Sequence, residues 1–159
     1  VYSEPGEGTT FRICFPRVDR AADGEMGAGR EDEAALRGTE TILLVEDEET
    51  VGDIAQAVLE MNGYTVIRAC DGKEGLAASR GHTGRIDLLL TDVVMPRMSG
   101  RKLAEQLAAE RPDMRILYTS GYSESALNPS GALAEEIAFL QKPYGPGSLL
   151  RKVREVLDR

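Results

Sequence analysis

Between residues 39 and 159, short apolar runs alternate with stretches of helical periodicity, and this alternation narrows the fold more than any other feature of the chain. Thr41-Ile42-Leu43-Leu44-Val45 reads as a buried strand. Residues 49–61 repeat apolar side chains at Val51, Ile54, Ala55, Val58 and Leu59, the spacing of a helix, and Asn62-Gly63 supplies its stop. Tyr64 to Ala69 reads as a second strand and residues 72–80 as a small alanine-rich helix. Ile86 to Thr91 is almost wholly apolar, as expected of a strand covered on both faces. Ser99 is placed to cap a helix over 100–110, with Pro112 just past its end. Met114 to Thr119 and Ile137 to Leu140 complete the strands. Residues 146–158 form a last helix with Leu149, Leu150, Val153, Val156 and Leu157 on one face. Five strands alternating with helices predict an α/β fold: an open, doubly wound, five-stranded parallel sheet with helices on both faces.

Such sheets bind ligands outside the carboxyl ends of their strands, so the residues just past each strand carry the functional argument. The first strand runs into Glu46-Asp47-Glu48-Glu49, the third into Asp92, the fourth into Thr119-Ser120-Gly121 and the fifth into Gln141-Lys142-Pro143. Clustered carboxylates repel one another unless a cation sits among them, and an all-oxygen donor set suits Mg²⁺. Metal, lysine and hydroxyl together neutralise charge on a phosphoryl group in transfer, with an aspartate as the nucleophile. Taken singly, each residue has an ordinary reading. Asp47 is a possible helix cap, Glu48 and Glu49 suit a helix N-terminus, Ser120 suits a turn, Lys142 a solvated surface, and Asp92 an Asx-turn before Met95-Pro96. Their joint placement at four strand ends outweighs those readings.

The net charge of −8 does not suggest a nucleic-acid surface. No apolar run approaches the roughly 20 residues needed to cross a bilayer, so direct membrane insertion is not expected. Cys14 and Cys70 have neither metal-ligand spacing nor a disulfide pattern, and read as reduced thiols of a cytoplasmic protein. The single histidine, His82, leaves no material for a histidine-based metal site. The polar start, without Met, shows no signal peptide and reads as a cut inside a longer protein. Residues 1–18 combine the turn-forming Glu4-Pro5-Gly6-Glu7-Gly8 with an alternating strand pattern through Phe11 and Phe15. Residues 19–38 read as a flexible linker, with glycines at 24, 27, 29 and 38 and six acids among three arginines; a short helix over 31–37 is compatible with the pattern.

Four motifs in order make residues 39–159 resemble a response-regulator receiver domain: Leu44-Val45-Glu46-Asp47-Glu48, Asp92 to Gly100, Tyr118 to Tyr122, and Phe139 to Tyr144. The resemblance implies the flavodoxin-like receiver fold and a role for each matching residue. Asp92 matches the phosphorylated aspartate. Asp47 matches a direct Mg²⁺ ligand, Glu46 the acid that holds the metal through water, and Val94 the residue offering its backbone carbonyl. Ser120 matches the switch hydroxyl, and Lys142 the lysine that pairs with a phosphoryl oxygen, before a peptide bond to Pro143 that is commonly cis. Phe139 matches the switch aromatic, often Tyr; here it lacks a hydroxyl. The implied partner is a histidine kinase domain or a histidine phosphotransfer protein.

One departure bears on signalling: Asn128-Pro129-Ser130-Gly131 breaks the helical pattern between the fourth and fifth strands, so no regular helix is expected across 127–132. That leaves open how phosphorylation is read and what oligomer forms. Tyr2 to Pro16 resembles the last hairpin of a histidine-kinase ATP-binding domain. This implies that the chain is the receiver of a hybrid sensor histidine kinase, the parent being membrane-associated or not, and that the chain carries no nucleotide-binding boxes and is not a kinase by itself. His82, in a Gly81-His82-Thr83-Gly84 loop, is not expected to be a phospho-donor. A different class of function is a docking module that regulates its own kinase without phosphorylation, for which Mg²⁺ binding is the discriminating measurement. Enzymes on similar folds fit less well. Val94 stands where a haloacid-dehalogenase-type phosphatase would need its second acid, and Glu46 to Glu49 would repel an FMN phosphate.

Overall fold

The computed structural model describes residues 2–4, 6, 8–10, 12, 34–121 and 138–159. The chain divides into two units, Val1–Asp32 and Glu33–Arg159. In the first, β1 (Tyr2–Glu4) and β2 (Gly8–Thr10) form an antiparallel hairpin, with Tyr2 opposite Thr10. Gly6 lies in the turn between the two strands, while Phe11 and residues 13–15 of the expected strand lie outside the described residues.

In the second unit the predicted alternation is realised. After a 3₁₀ turn at Ala34–Leu36, the elements are β3 (Thr41–Val45), α1 (Glu49–Met61), β4 (Thr65–Ala69), α2 (Gly72–Gly81), β5 (Leu88–Asp92), α3 (Gly100–Glu110), β6 (Arg115–Ser120), β7 (Ala138–Gln141) and α4 (Pro146–Leu157). The five strands of this unit pair in the order β4-β3-β5-β6-β7, all parallel. The segment expected to lack a regular helix, residues 127–132, lies outside the described residues.

The period-two pleat sorts the central strands into two cores. Ile42, Leu44, Leu88, Leu90 and Leu117 face α1 and α4, packing on Ala55, Leu59, Leu149 and Val153. Leu43, Val45 and Leu89 face α2 and α3, packing on Leu103, Ala104 and Leu107. Leu43, Leu88, Leu89 and Leu103 have no exposed surface, and each buried leucine contributes roughly 2 kcal/mol of transfer free energy. Local chemistry sets the helix starts. Asp71 caps α2, its Oδ1 accepting from the N–H groups of Lys73 at 2.7 Å and Glu74 at 2.9 Å. Ser99 caps α3 through Lys102 N–H at 3.4 Å, and Pro146 opens α4 after Gly145. α1 has Glu48 at its N-cap with no side-chain cap, and Asp47 makes no capping bond there.

The chain leaves β3 toward β4 on one side and reaches β5 on the other, so the strand order reverses between β3 and β5. The crevice at that reversal lies at the ends of Val45 and Asp92. No helix among the described residues is long and apolar enough to cross a membrane.

Candidate phosphoacceptor site

Asp92 is the last residue of β5, held by the parallel register that sets it against Thr119 of β6. Its Oδ1 accepts from Val94 N–H at 3.0 Å, so the Asx-turn of the ordinary reading is present alongside the contacts of the site. Its Oδ2 accepts from Lys142 Nζ at 2.7 Å. The same ammonium lies 2.6 Å from Glu46 Oε2, spanning the switch crevice from the far strand. Lys142 is positioned by its own backbone, whose N–H donates to Ser120 C=O at 2.8 Å; its peptide bond to Pro143 is cis.

Glu46 is 2% exposed; Asp47, one residue on, is exposed. Glu46, Asp47 and Asp92 each place a carboxylate oxygen within 4.8 Å of the others. The Lys142 ammonium thus pairs with two of these three carboxylates, Glu46 and Asp92. Burial pushes the Glu46 carboxyl above its ordinary range even though Lys142 pulls the other way. Burial opposes the Lys142 charge, yet hydrogen bonds from the ammonium to Asp92 and Glu46 hold its pKa above the ordinary value. Converging oxygens, one of them on a buried carboxyl, form a donor set into which a hard divalent cation fits.

Two packing details fix the aspartate. Val93 N–H donates to Thr119 C=O at 3.0 Å, and Gly100 N–H to Val93 C=O at 3.1 Å. A β-carbon at Gly100 would overlap the main-chain carbonyl of Asp92, so only glycine lets α3 start this close to β5. In the same loop Arg97 adopts a left-handed φ of 66° and pairs with Asp71, the cap of α2.

Ser120 ends β6 beside Gln141 and is buried, 1% exposed, next to the strand position paired with Asp92. Val94 lies in the loop after Asp92, its side chain exposed. Phe139 stands apart from the carboxylate–lysine cluster: it is half-buried on β7, in register with Tyr118, three residues before Lys142. Arg68 joins the site without any sequence signal. Its Nη1 donates to Glu46 C=O at 2.9 Å and to Ala69 C=O at 2.8 Å, and no motif marks it.

A doubly wound parallel sheet with carboxylates, a buried hydroxyl residue and a lysine gathered over its strand ends is the architecture of a signalling receiver domain. The chain belongs to the response regulator receiver domain family, which matches residues 42–154. It is 36% identical to sensor kinase CckA of Brucella abortus, over 99% of this chain and 17% of that protein. It is 33% identical to response regulator receiver protein CpdR of the same organism, over 73% of this chain and 95% of that one. The chain thus spans about a sixth of the sensor kinase's length, and 48% of that of the alkaline phosphatase synthesis regulator PhoP of Bacillus subtilis, another relative. Among solved structures, the receiver domain of hybrid histidine kinase CckA matches with a TM-score of 0.62 and 32% identity, over 74% of this chain and 98% of that one. Chemotaxis protein CheY4 of Vibrio cholerae matches with a TM-score of 0.67 and 26% identity, over 75% and 99%. The chain is a receiver domain of two-component signalling.

Proposed function

We propose that Asp92 accepts a phosphoryl group from a phosphohistidine on a histidine kinase domain or histidine phosphotransfer protein. The carrying observation is the Lys142 ammonium held between Asp92 and Glu46 while Asp47 converges on the same point. A carboxylate oxygen of Asp92 bonds phosphorus as the phosphorus–nitrogen bond of phosphohistidine breaks, and the electron pair returns to the imidazole, which takes up a proton. Mg²⁺ held by Glu46, Asp47, Asp92 and the Val94 carbonyl would supply charge neutralisation at the phosphoryl oxygens. Lys142 exchanges its Asp92 contact for a phosphoryl oxygen, keeping charge compensation in place while negative charge grows on the site. The Ser120 hydroxyl donates to a second phosphoryl oxygen, and Phe139 is the aromatic that responds to its movement.

The likeness to the sensor kinase runs over nearly the whole chain, including the part before residue 42. That supports reading residues 1–18 as the last hairpin of a histidine-kinase ATP-binding domain, 19–38 as a linker and 39–159 as the receiver of a hybrid kinase acting in the cytoplasm. Incubation with a small-molecule phosphodonor and Mg²⁺ should load one phosphoryl group per wild-type chain, and none on Asp92→Asn. Full loading of the variant would refute the assignment.

A further inference from the structure

Arg68 is a cation inside the acidic site's own scaffolding, and it bonds to main chain rather than to a carboxylate. It sits on the edge strand β4 opposite Leu44, on the sheet face that packs against α1. Its Nη1 donates to the carbonyl of Glu46 at 2.9 Å and to that of Ala69 at 2.8 Å. A separate bond, from Glu46 N–H to Ala69 C=O at 3.2 Å, ties the same two residues. The guanidinium has room only because position 52 in the first turns of α1 is glycine: a β-carbon there would fall within the guanidinium itself. Glycine in a helix interior is unfavourable by about 1 kcal/mol against alanine, so α1 is weakened locally where the arginine fits.

We propose that Arg68 is a positioning residue for the metal site: seated in the space left by Gly52, it holds the main chain at Glu46 so that the Glu46 and Asp47 carboxylates stay convergent. This inference rests on the reading of Glu46, Asp47 and Asp92 as a Mg²⁺ site. A bound arginine near a cation site has two opposed effects. Its charge repels the cation, while its hydrogen bonds order the ligands. The direction of the change on removing it decides between them. Gly52→Ala separates them further, since it displaces the guanidinium and leaves the charge on the chain. The alanine meets only the far end of a flexible side chain, so the fold has an easy way to accommodate it.

The test is calorimetric titration of Mg²⁺ into the full chain and its Gly52→Ala, Arg68→Met, Arg68→Lys and Gly52→Ala/Arg68→Met variants, below the melting temperature of each. Gly52→Ala and Arg68→Met should each raise the Mg²⁺ Kd about tenfold, the scale for a group that orients metal ligands. The double variant should bind no more weakly than Arg68→Met, because both changes remove one interaction. Arg68→Lys should recover part of the loss by donating to one carbonyl. Wild-type affinity in both single variants, tighter binding by Arg68→Met, or additive losses in the double variant would each overturn the proposal alone. Absence of Mg²⁺ binding by the wild-type chain would overturn the metal-site reading and this inference with it. Should Arg68→Met fail to fold, Gly52→Ala carries the test by itself.

Discussion

Two glutamates flank β3, six residues apart, and their environments are opposite. Glu40, at the amino end, faces Arg154 of α4, with Oε1 2.7 Å from Nη2. The guanidinium also donates to the Tyr64 hydroxyl at 3.3 Å, and that hydroxyl donates to Leu36 C=O at 3.0 Å. The hydrogen bond from Arg154 holds the Glu40 carboxyl below its usual range, and Glu40 in turn holds the Arg154 guanidinium protonated. Glu46, at the carboxyl end, is more deeply buried, shares its lysine with Asp92, and is pushed the other way. The sheet is thus settled at one end and electrostatically poised at the other. On the proposed function this end takes up a doubly charged cation and then a phosphoryl group, which calls for negative charge not already committed to a fixed ion pair; an end that only holds helices to strands does not.

The largest way to break this contrast is to remove Lys142. Lys142→Met leaves a buried Glu46 and a neighbouring Asp92 without their ammonium, and should lower stability by about 3 kcal/mol in metal-free buffer. Added Mg²⁺ should raise the melting temperature of this variant more than that of the wild type, since the cation takes over the compensating charge. Equal shifts in the two proteins would mean the carboxylates do not converge on a cation.

A smaller effect is expected where α3 meets β5. Gly100→Ala forces a β-carbon onto the main-chain carbonyl of Asp92, which has no flexible way out, and should destabilise by about 2 kcal/mol in urea unfolding. Wild-type stability would show that the loop moves freely, and with it the aspartate.

The smallest effect belongs to the settled end. Because the folded-state pKa of Glu40 is depressed, its pair with Arg154 contributes fully above the ordinary carboxylate range and is lost as pH falls through the lowered value. Glu40→Gln should therefore cost less than about 1 kcal/mol at neutral pH, the pair being partly exposed, and that difference should vanish in acid. A deficit that persists in acid would point to lost packing rather than lost charge.

Much of this was readable from the amino acids because the signals are local. The periodicity over 49–61 and 100–110 gives α1 and α3 to the residue, and the apolar runs give the five strands in order. Strand edges were less legible. Ile86 and Met114 are buried, 2% and 6% exposed, yet lie before β5 and β6, so apolar character marks their packing rather than their pairing. The positions at the strand ends were marked by topology plus motif. The Asp92–Lys142–Glu46 bridge joins positions so marked, but the bridge itself was not expected, because it depends on how three strand ends meet. Arg68 and Gly52 did not follow, because their relation exists only across β4 and α1, and neither residue alone carries a pattern. The same is true of Arg97, whose left-handed backbone and link to Asp71 depend on two loops meeting.

On the proposed function, the carboxyl end of the sheet receives a phosphoryl group on one particular carboxylate, that of Asp92. The most direct measurement is borohydride trapping of the chain after treatment with a small-molecule phosphodonor and Mg²⁺, followed by peptide mass mapping. An aspartyl phosphate is reduced to homoserine where it stands. Homoserine is expected at position 92 alone, dependent on Mg²⁺. Homoserine at position 47 or elsewhere, or none at all under conditions that load another receiver domain, would contradict it.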